Sequence, residues 1–492
     1  MKRALLIAAV CAPLVAACAT ATPRTPQLAL PAAFEAPTRG AALPAASLDR
    51  WWALYNDPQL TALVEEALGR SFDVREAAAR LEQARAVRAG QSAQLFLPQG
   101  SLSTSATRRG GDETDFGQSA GSSQSAGPSQ GGGQGFSNNG DTYSADFNVS
   151  WELDLVGRRR AAQKTADANL RTAEFTYEAT RWSLAANVAD SLFQARGLAI
   201  QLDQAEETLR IQRALYGAAK AKSDRGLVAS SDAAQTQASV QTTEAQAESL
   251  QAQLNAARRS LLLLLGRATD PLANLPVPPS VGTPPQVPGG IPGELLARRP
   301  DVREAQWRLA SAAGQLTTAQ LALFPTFKLS PGLGVTKLEG QDSSGSWSLG
   351  VSATVPILDI PRLLTEIRAQ KAVSEQQVLA YERAVQTAFA EAENALVYLD
   401  ADNRRVRLLR AAERNAAVAY DAKRIGYSRG FNDLQTALNA ETTWRQARQS
   451  LASAEVTAMQ RSVQVFKALG GGWTPSAPGR ELPPATEPGR SR

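Results

Sequence analysis

Between Arg362 and Ile425 the chain contains neither glycine nor proline. Ala, Glu, Gln, Arg and Leu fill the stretch, and these residues lose least on entering a helix. At about 1.5 Å per residue a helix there would run roughly 90 Å. No compact domain accommodates that length, so an elongated molecule is expected. Val378, Val385, Ala392, Leu399 and Val406 recur at every seventh position. That spacing predicts a coiled-coil seam, with small residues that permit close helix approach. Arg158 to Lys222 is a second such stretch, interrupted only by Gly197 and Gly217.

The two long stretches belong to two copies of one plan. The string DVREA occurs at Asp73–Ala77 and again at Asp301–Ala305, and Phe96 and Phe324 stand at the same spacing from it. Arg225-Gly226 is mirrored by Arg429-Gly430. Each copy reads helix, strand, loop, strand, very long helix, turn, long helix. A period this long is an internal duplication and not a solenoid repeat.

The strands follow a period of two. Tyr143, Ala145, Phe147, Val149, Trp151, Leu153 and Leu155 alternate with Ser144, Asp146, Asn148, Ser150, Glu152 and Asp154. Trp347, Leu349, Val351, Ala353, Val355 and Ile357 alternate mainly with small or polar residues. Phe327, Leu329, Leu333 and Val335 do so more weakly, and Leu102 with Ala106 most weakly. Strands are predicted at about 99–108, 142–155, 326–337 and 346–357. One apolar and one Ser/Asp/Asn-rich face suits a transmembrane strand with lipid outside and water inside. No amphipathic helix of suitable length is left to cover a soluble sheet. Four strands cannot close a barrel, and backbone groups in lipid must all be paired. Several chains are therefore expected to share one barrel, and closure alone permits a dimer or a larger ring.

The chain has no His, which removes His-based catalysis and His-ligated metals. Its two cysteines, Cys11 and Cys18, lie at the extreme N-terminus, so a zinc site or disulfide framework is not expected. The 52 basic and 47 acidic residues are well mixed and do not form a nucleic-acid footprint. Lys2 and Arg3 precede the short apolar run Ala4–Leu14, the build of a secretory signal. The run ends Val15-Ala16-Ala17-Cys18, which resembles a lipobox, so Cys18 is expected to carry a covalent lipid. Ala19 follows, and the resemblance to such lipoproteins implies sorting to the outer membrane of a Gram-negative bacterium. The divisions expected are a signal peptide over 1–17, a lipidated tether over 18–47 and a first repeat over 48–265. A Pro-rich linker over 266–293, a second repeat over 294–469 and a disordered tail over 470–492 follow. The Gly/Ser-rich segment from Arg108 to Thr142 reads as a loop at the outer mouth.

These features together resemble the TolC-like outer-membrane efflux proteins, in their NodT-type lipoprotein branch. Trp51-Trp52, Asn56-Asp57-Pro58-Gln59-Leu60, Trp151–Arg158, Arg298-Arg299-Pro300-Asp301 and Gly426-Tyr427 with Gly430 carry the resemblance, in that order. It implies a mainly helical fold with a small β part: a long coiled-coil helical barrel, plus four transmembrane strands per chain in a twelve-stranded barrel shared by a homotrimer. It implies a passive exit duct for small toxic compounds in a tripartite pump, with no enzymatic activity and no cofactor beyond the lipid on Cys18. A periplasmic adaptor (membrane fusion) protein and an inner-membrane transporter are the implied partners, with outer-membrane lipid around the barrel and no nucleic acid. The same architecture serves type I secretion ducts for peptides or proteins, and the residues alone do not separate the two.

The resemblance also implies sites. Arg225, Gly226, Leu227, Arg429, Gly430 and Phe431 would form the tips that meet the adaptor. Tyr427 stands at the family's gate tyrosine, while the two family Asp positions hold Thr436 and Asn439. Asp433 with Tyr427, or neutral hydrogen bonding through Asn439, would then close the constriction, with Asp232 as another source of a carboxylate ring. Asp433 reads equally well as a solvated helix N-terminal carboxylate.

Overall fold

The computed structural model describes residues 25–27, 30–36, 49–109, 140–226, 229–286, 293, 296 and 298–471. The signal segment, Cys18, most of the tether, Leu227, the 110–139 loop and the tail beyond Gly471 lie outside the described residues. A 3-10 turn, Trp51–Tyr55, leads into α1 (Pro58–Arg70) and α2 (Phe72–Phe96). Strands β1 (Gln99–Arg109) and β2 (Gly140–Leu153) precede α3 (Arg158–Asp224) and α4 (Ser230–Leu264). A second 3-10 turn, Leu272–Asn274, comes before α5 (Pro300–Leu321), β3 (Thr326–Leu338) and β4 (Ser344–Thr354). The chain then forms α6 (Ile360–Ser428) and α7 (Leu434–Ala468). Helix, two strands, very long helix and long helix thus occur twice in the same order. Among the described residues no helix is long and apolar enough to cross a membrane.

The chain divides into two compact units. The described residues of the first lie within 86–167 and 312–374 and hold the sheet. All four strands pair antiparallel in the order β1-β2-β3-β4, which leaves β1 and β4 as open edges. The ladder between β2 and β3 skips Val149 and Ser150, where Pro331 of β3 has no N–H to offer.

Two strands stop earlier than their alternation predicts. β2 ends at Leu153 and not near Leu155, because Asp154 turns away to cap α3. Its two oxygens accept the amides of Arg159 and Arg160 at 3.0 and 3.1 Å. Gly157 makes the turn at φ +83°, and Arg158 pairs with Glu152. The family string Trp151–Arg158 is thus a strand-to-helix corner. β4 ends at Thr354 and not near Ile357, because Pro356 cannot donate to a ladder.

The described residues of the second unit, within 24–85, 168–311 and 375–492, are mainly helical. Its main core gathers Trp51, Trp52, Leu60 and Val64 with Leu192 and Phe193 of α3, Leu261 and Leu262 of α4, and Val463 and Phe466 of α7. Trp51 stacks on Phe466 at 5.7 Å. The opening motif has a local logic. Asn56 takes the left-handed conformation, Asp57 caps α1 by accepting Leu60 N–H at 3.0 Å, and Pro58 fills the first helical position. Arg196 of α3, itself buried, forks onto both Asp57 oxygens and reaches Gln59 at 2.8 Å. Burial raises the Asp57 carboxyl and the Arg196 hydrogen bond lowers it; the lowering wins.

The predicted seam on α6 is real over most of its length. Val378, Val385, Ala392 and Leu399 are buried, and Val406 is half-buried. Gly197 has a packing reason, since a Cβ there would come within 2.8 Å of Val456 on α7. The described part of the linker, residues 266–286, packs against the helices. Leu275 is buried, and Arg258 and Arg259 bind the carbonyls of Leu275, Ala268 and Asp270.

Candidate functional site

In the sheet, the register sorts side chains by chemistry. Leu102 lies opposite Phe147, Phe147 opposite Leu333 and Leu333 opposite Trp347. Trp151, Leu329 and Val351 form a second such row, and Ala145 with Val335 belongs to the same face. The other face carries Ser103, Asp146, Gly334 and Ser346 in one row, and Ser105, Ser144, Thr336 and Ser344 in another. Ser105 and Ser144 hydroxyls bond across it at 2.8 Å. The apolar face is uncovered in the single chain. Trp347 is 79% exposed, and Leu102, Phe147, Leu333, Leu349 and Val351 are exposed with it. Strands of 11 to 14 residues are long enough for a bilayer core, which takes about 9–11 when tilted.

The helix turns of the second unit carry the predicted tip residues. α6 closes in a Schellman motif: Phe431 N–H reaches Gly426 C=O at 2.8 Å and Gly430 N–H reaches Tyr427 C=O at 3.1 Å. Gly430 sits at φ +80°, a conformation that favours glycine. At the first turn Gly226 sits at φ +71° and donates to Ser223 C=O at 2.8 Å. Arg225, Gly226, Arg429, Gly430 and Phe431 are all exposed, Phe431 by 80%.

The predicted gate residues are placed as follows. Asp433 is the N-cap of α7, accepting Thr436 N–H at 2.7 Å, and its hydrogen bonds with Thr436 hold its carboxyl below the ordinary range. Asn439 accepts from Gln435 at 2.8 Å, and Gln435 in turn accepts from Gln235 of α4 at 3.2 Å. Tyr427 instead meets the other copy: Lys222 Nζ of α3 lies 4.5 Å from its ring centroid. Asp232 lies in the first turn of α4. No hydrogen bond joins Tyr427, Asp433 and Asn439 to one another among the described residues.

Sequence reasoning passed over a cluster in the second unit. Arg299, quoted above only as part of a motif, is buried and donates to Asp301, Glu391 and the carbonyl of Ala468 at 2.7 to 3.1 Å. It lies over Trp182, as does Lys467. Asp190 lines the same cavity of about 840 Å³. Burial raises its carboxyl to about 6, although Gln464 donates to it at 2.6 Å. The only signal for this cluster was the string around Arg299. Among the described residues, no group of acidic or thiol side chains is gathered as a metal site.

Residues 63–267 and 291–471 match the outer membrane efflux protein family. The chain belongs to that family. This outer membrane efflux protein is 29% identical to the pyoverdine export outer membrane protein OpmQ of Pseudomonas putida, over 94% of this chain and 96% of the relative. It is 27% identical to the toluene efflux pump outer membrane protein TtgF, also of Pseudomonas putida, over 86% and 85%. Among solved structures it resembles the outer-membrane channel OprN, with a TM-score of 0.78 and 28% identity, covering 92% of this chain and 99% of that one. The family is one of efflux channels and not of enzymes.

Proposed function

We propose that this efflux protein works as a homotrimer, the outer-membrane exit duct of a tripartite pump in a Gram-negative bacterium. It passively conducts small toxic compounds delivered by an inner-membrane transporter through a periplasmic adaptor. The observation that carries the reading is the sheet: apolar on one face, polar on the other, and unpaired at both edges. In lipid each unpaired backbone group costs several kcal/mol, so β1 and β4 need partners. Three copies would supply twelve strands, with apolar rows outward and Ser-rich rows around water. The names of OpmQ and TtgF, export and efflux of small compounds, support the cargo class.

In this reading residues 1–17 are removed and Cys18 carries lipid. The repeats over 48–265 and 294–469 each supply two strands and two helices of the duct wall. Arg225, Gly226, Leu227, Arg429, Gly430 and Phe431 present the adaptor surface. Tyr427, Asp433 and Asn439 stand at the constriction, where rings of like side chains set ion preference. The decisive experiment is the mass of the detergent-purified protein together with its conductance in planar bilayers. A conducting trimer is expected; a water-soluble monomer overturns the proposal. Asp433→Ala and Asn439→Ala are expected to change resting conductance or cation preference, and no change in either removes the gate assignment. Deletion of the gene is expected to sensitise cells to toxic small compounds, and unchanged sensitivity across a broad panel counts against an efflux role.

A further inference from the structure

The stripe that α6 presents every seventh residue does not stay apolar. After Val378, Val385, Ala392, Leu399 and Val406 it continues as Glu413, Tyr420 and Tyr427, ending beside the tip turn. α7 answers in kind. Leu434, Ala437 and Leu438 are buried at helical spacing, and the next place on that face is held by Glu441, only 2% exposed. Neither a hydrogen bond nor an ion pair reaches its carboxyl among the described residues. Opposite, Tyr420 is 5% exposed, and its hydroxyl is buried without a partner. Its ring stacks flat on Trp444 at 5.1 Å, and Trp444 Nε1 donates to Glu413 at 3.0 Å. A carboxyl on a buried stripe costs far more when ionised than when neutral. Such a group stays on the stripe of a merely structural seam at a loss. Asp433 and Asn439 precede it by little more than two turns or less on the same helix.

We propose that Glu441 is a positioning residue for the gate: its neutral carboxyl lets α7 lie closed against Tyr420 of α6, and its ionisation loosens that contact and frees the tip. The inference rests on the exit-duct reading for its meaning but not for its test. The groups facing the carboxyl are Arg445 from its own helix and Tyr420 from α6, with Asp421 and Arg424 around the tyrosine. Burial raises Glu441 above the ordinary carboxylate value, and Arg445 only partly offsets it. The sign follows from linkage. A carboxyl raised in the closed seam stabilises that seam fully below its ordinary value, and the contribution is lost as pH rises through the raised one. Acid therefore closes, and rising pH loosens. Asp433 is held below the ordinary range by its Thr436 bonds and stays ionised throughout. Burial also raises Glu178, to about 7, and Asp190, and a Glu441 variant leaves both in place.

The test is hydrogen exchange of the full-length protein in detergent, with protection corrected for intrinsic rates, beside conductance in planar bilayers. Between about pH 5 and about pH 7.5, protection of amides 434–445 is expected to fall roughly tenfold for each unit by which the carboxyl is raised. Conductance is expected to rise over the same range. Glu441→Gln, and Glu441→Leu as a second variant, should keep the acid level of protection and the low conductance at both pH values. Equal pH profiles in wild type and both variants overturn the proposal. Glu441-dependent protection in a protein that carries no current supports the latch and refutes the duct.

Discussion

Two stretches of α6 lie on one seven-residue stripe and are held in opposite ways. Val378, Val385, Ala392 and Leu399 are aliphatic and buried. Glu413, Tyr420 and Tyr427 are polar-tipped, and they face Trp444, the buried Glu441 and Lys222. The same contrast runs through the neighbouring helices. Around Phe193, Leu261 and Phe466 the core is apolar, whereas Thr208, Gln212, Thr236 and Thr243 are buried further along α3 and α4. Apolar packing has no preferred alternative and resists sliding. A seam of hydrogen-bonding groups trades partners at small net cost. The difference marks where the helices are fixed and where they are able to give.

The largest effect expected is in the apolar region. Phe466→Ala should cost about 3–5 kcal/mol, read as a fall in melting temperature of the detergent-solubilised protein, because Phe466 is fully buried against Trp51. A loss no greater than that of a tip substitution would erase the contrast. Charge in the same region should show as pH dependence. Asp190 is raised by burial to about 6, so its contribution to stability is fully present below about pH 4 and fades as pH rises through about 6. Asp190→Asn should flatten that profile by on the order of 2 kcal/mol in thermal scans at paired pH values.

Gly197→Ala comes next, since its Cβ meets Val456 at 2.8 Å. Overpacking of this kind costs about 1–2 kcal/mol, measurable as a shifted urea midpoint. The polar seam gives the smallest changes and the sharpest comparison. Thr243 donates to Gln212 at 2.6 Å in a buried pair. Thr243→Val alone should cost about 1 kcal/mol by stranding the amide oxygen. Adding Gln212→Leu should recover most of that loss, and failure to recover it would mean the seam is held as firmly as the core.

Much of this architecture is legible in the chain itself. The freedom from glycine and proline that forecasts a helix from Arg362 to Ile425 matches α6, and the alternation of Tyr143 to Leu153 matches β2. Asp433 before a helical run was legible as a cap, and the structure makes it one. The strand ends were misplaced by two or three residues, because Asp154 is claimed by the next helix and Pro356 has no donor. Those are contests between neighbouring elements that periodicity does not register. Glu441 stood unnoticed because on a charged, glycine-free helix it reads as one more solvated carboxylate.

Local patterning, then, determined which segments are helix or strand and which strand face is apolar, since both depend on backbone geometry and on residues within a turn or two. Only the tertiary structure decided that Arg299 is buried over Trp182, that Lys222 meets Tyr427, and that Glu441 is buried. The environment of a side chain is set by whichever helix lies across from it, and that helix comes from residues far away in the sequence.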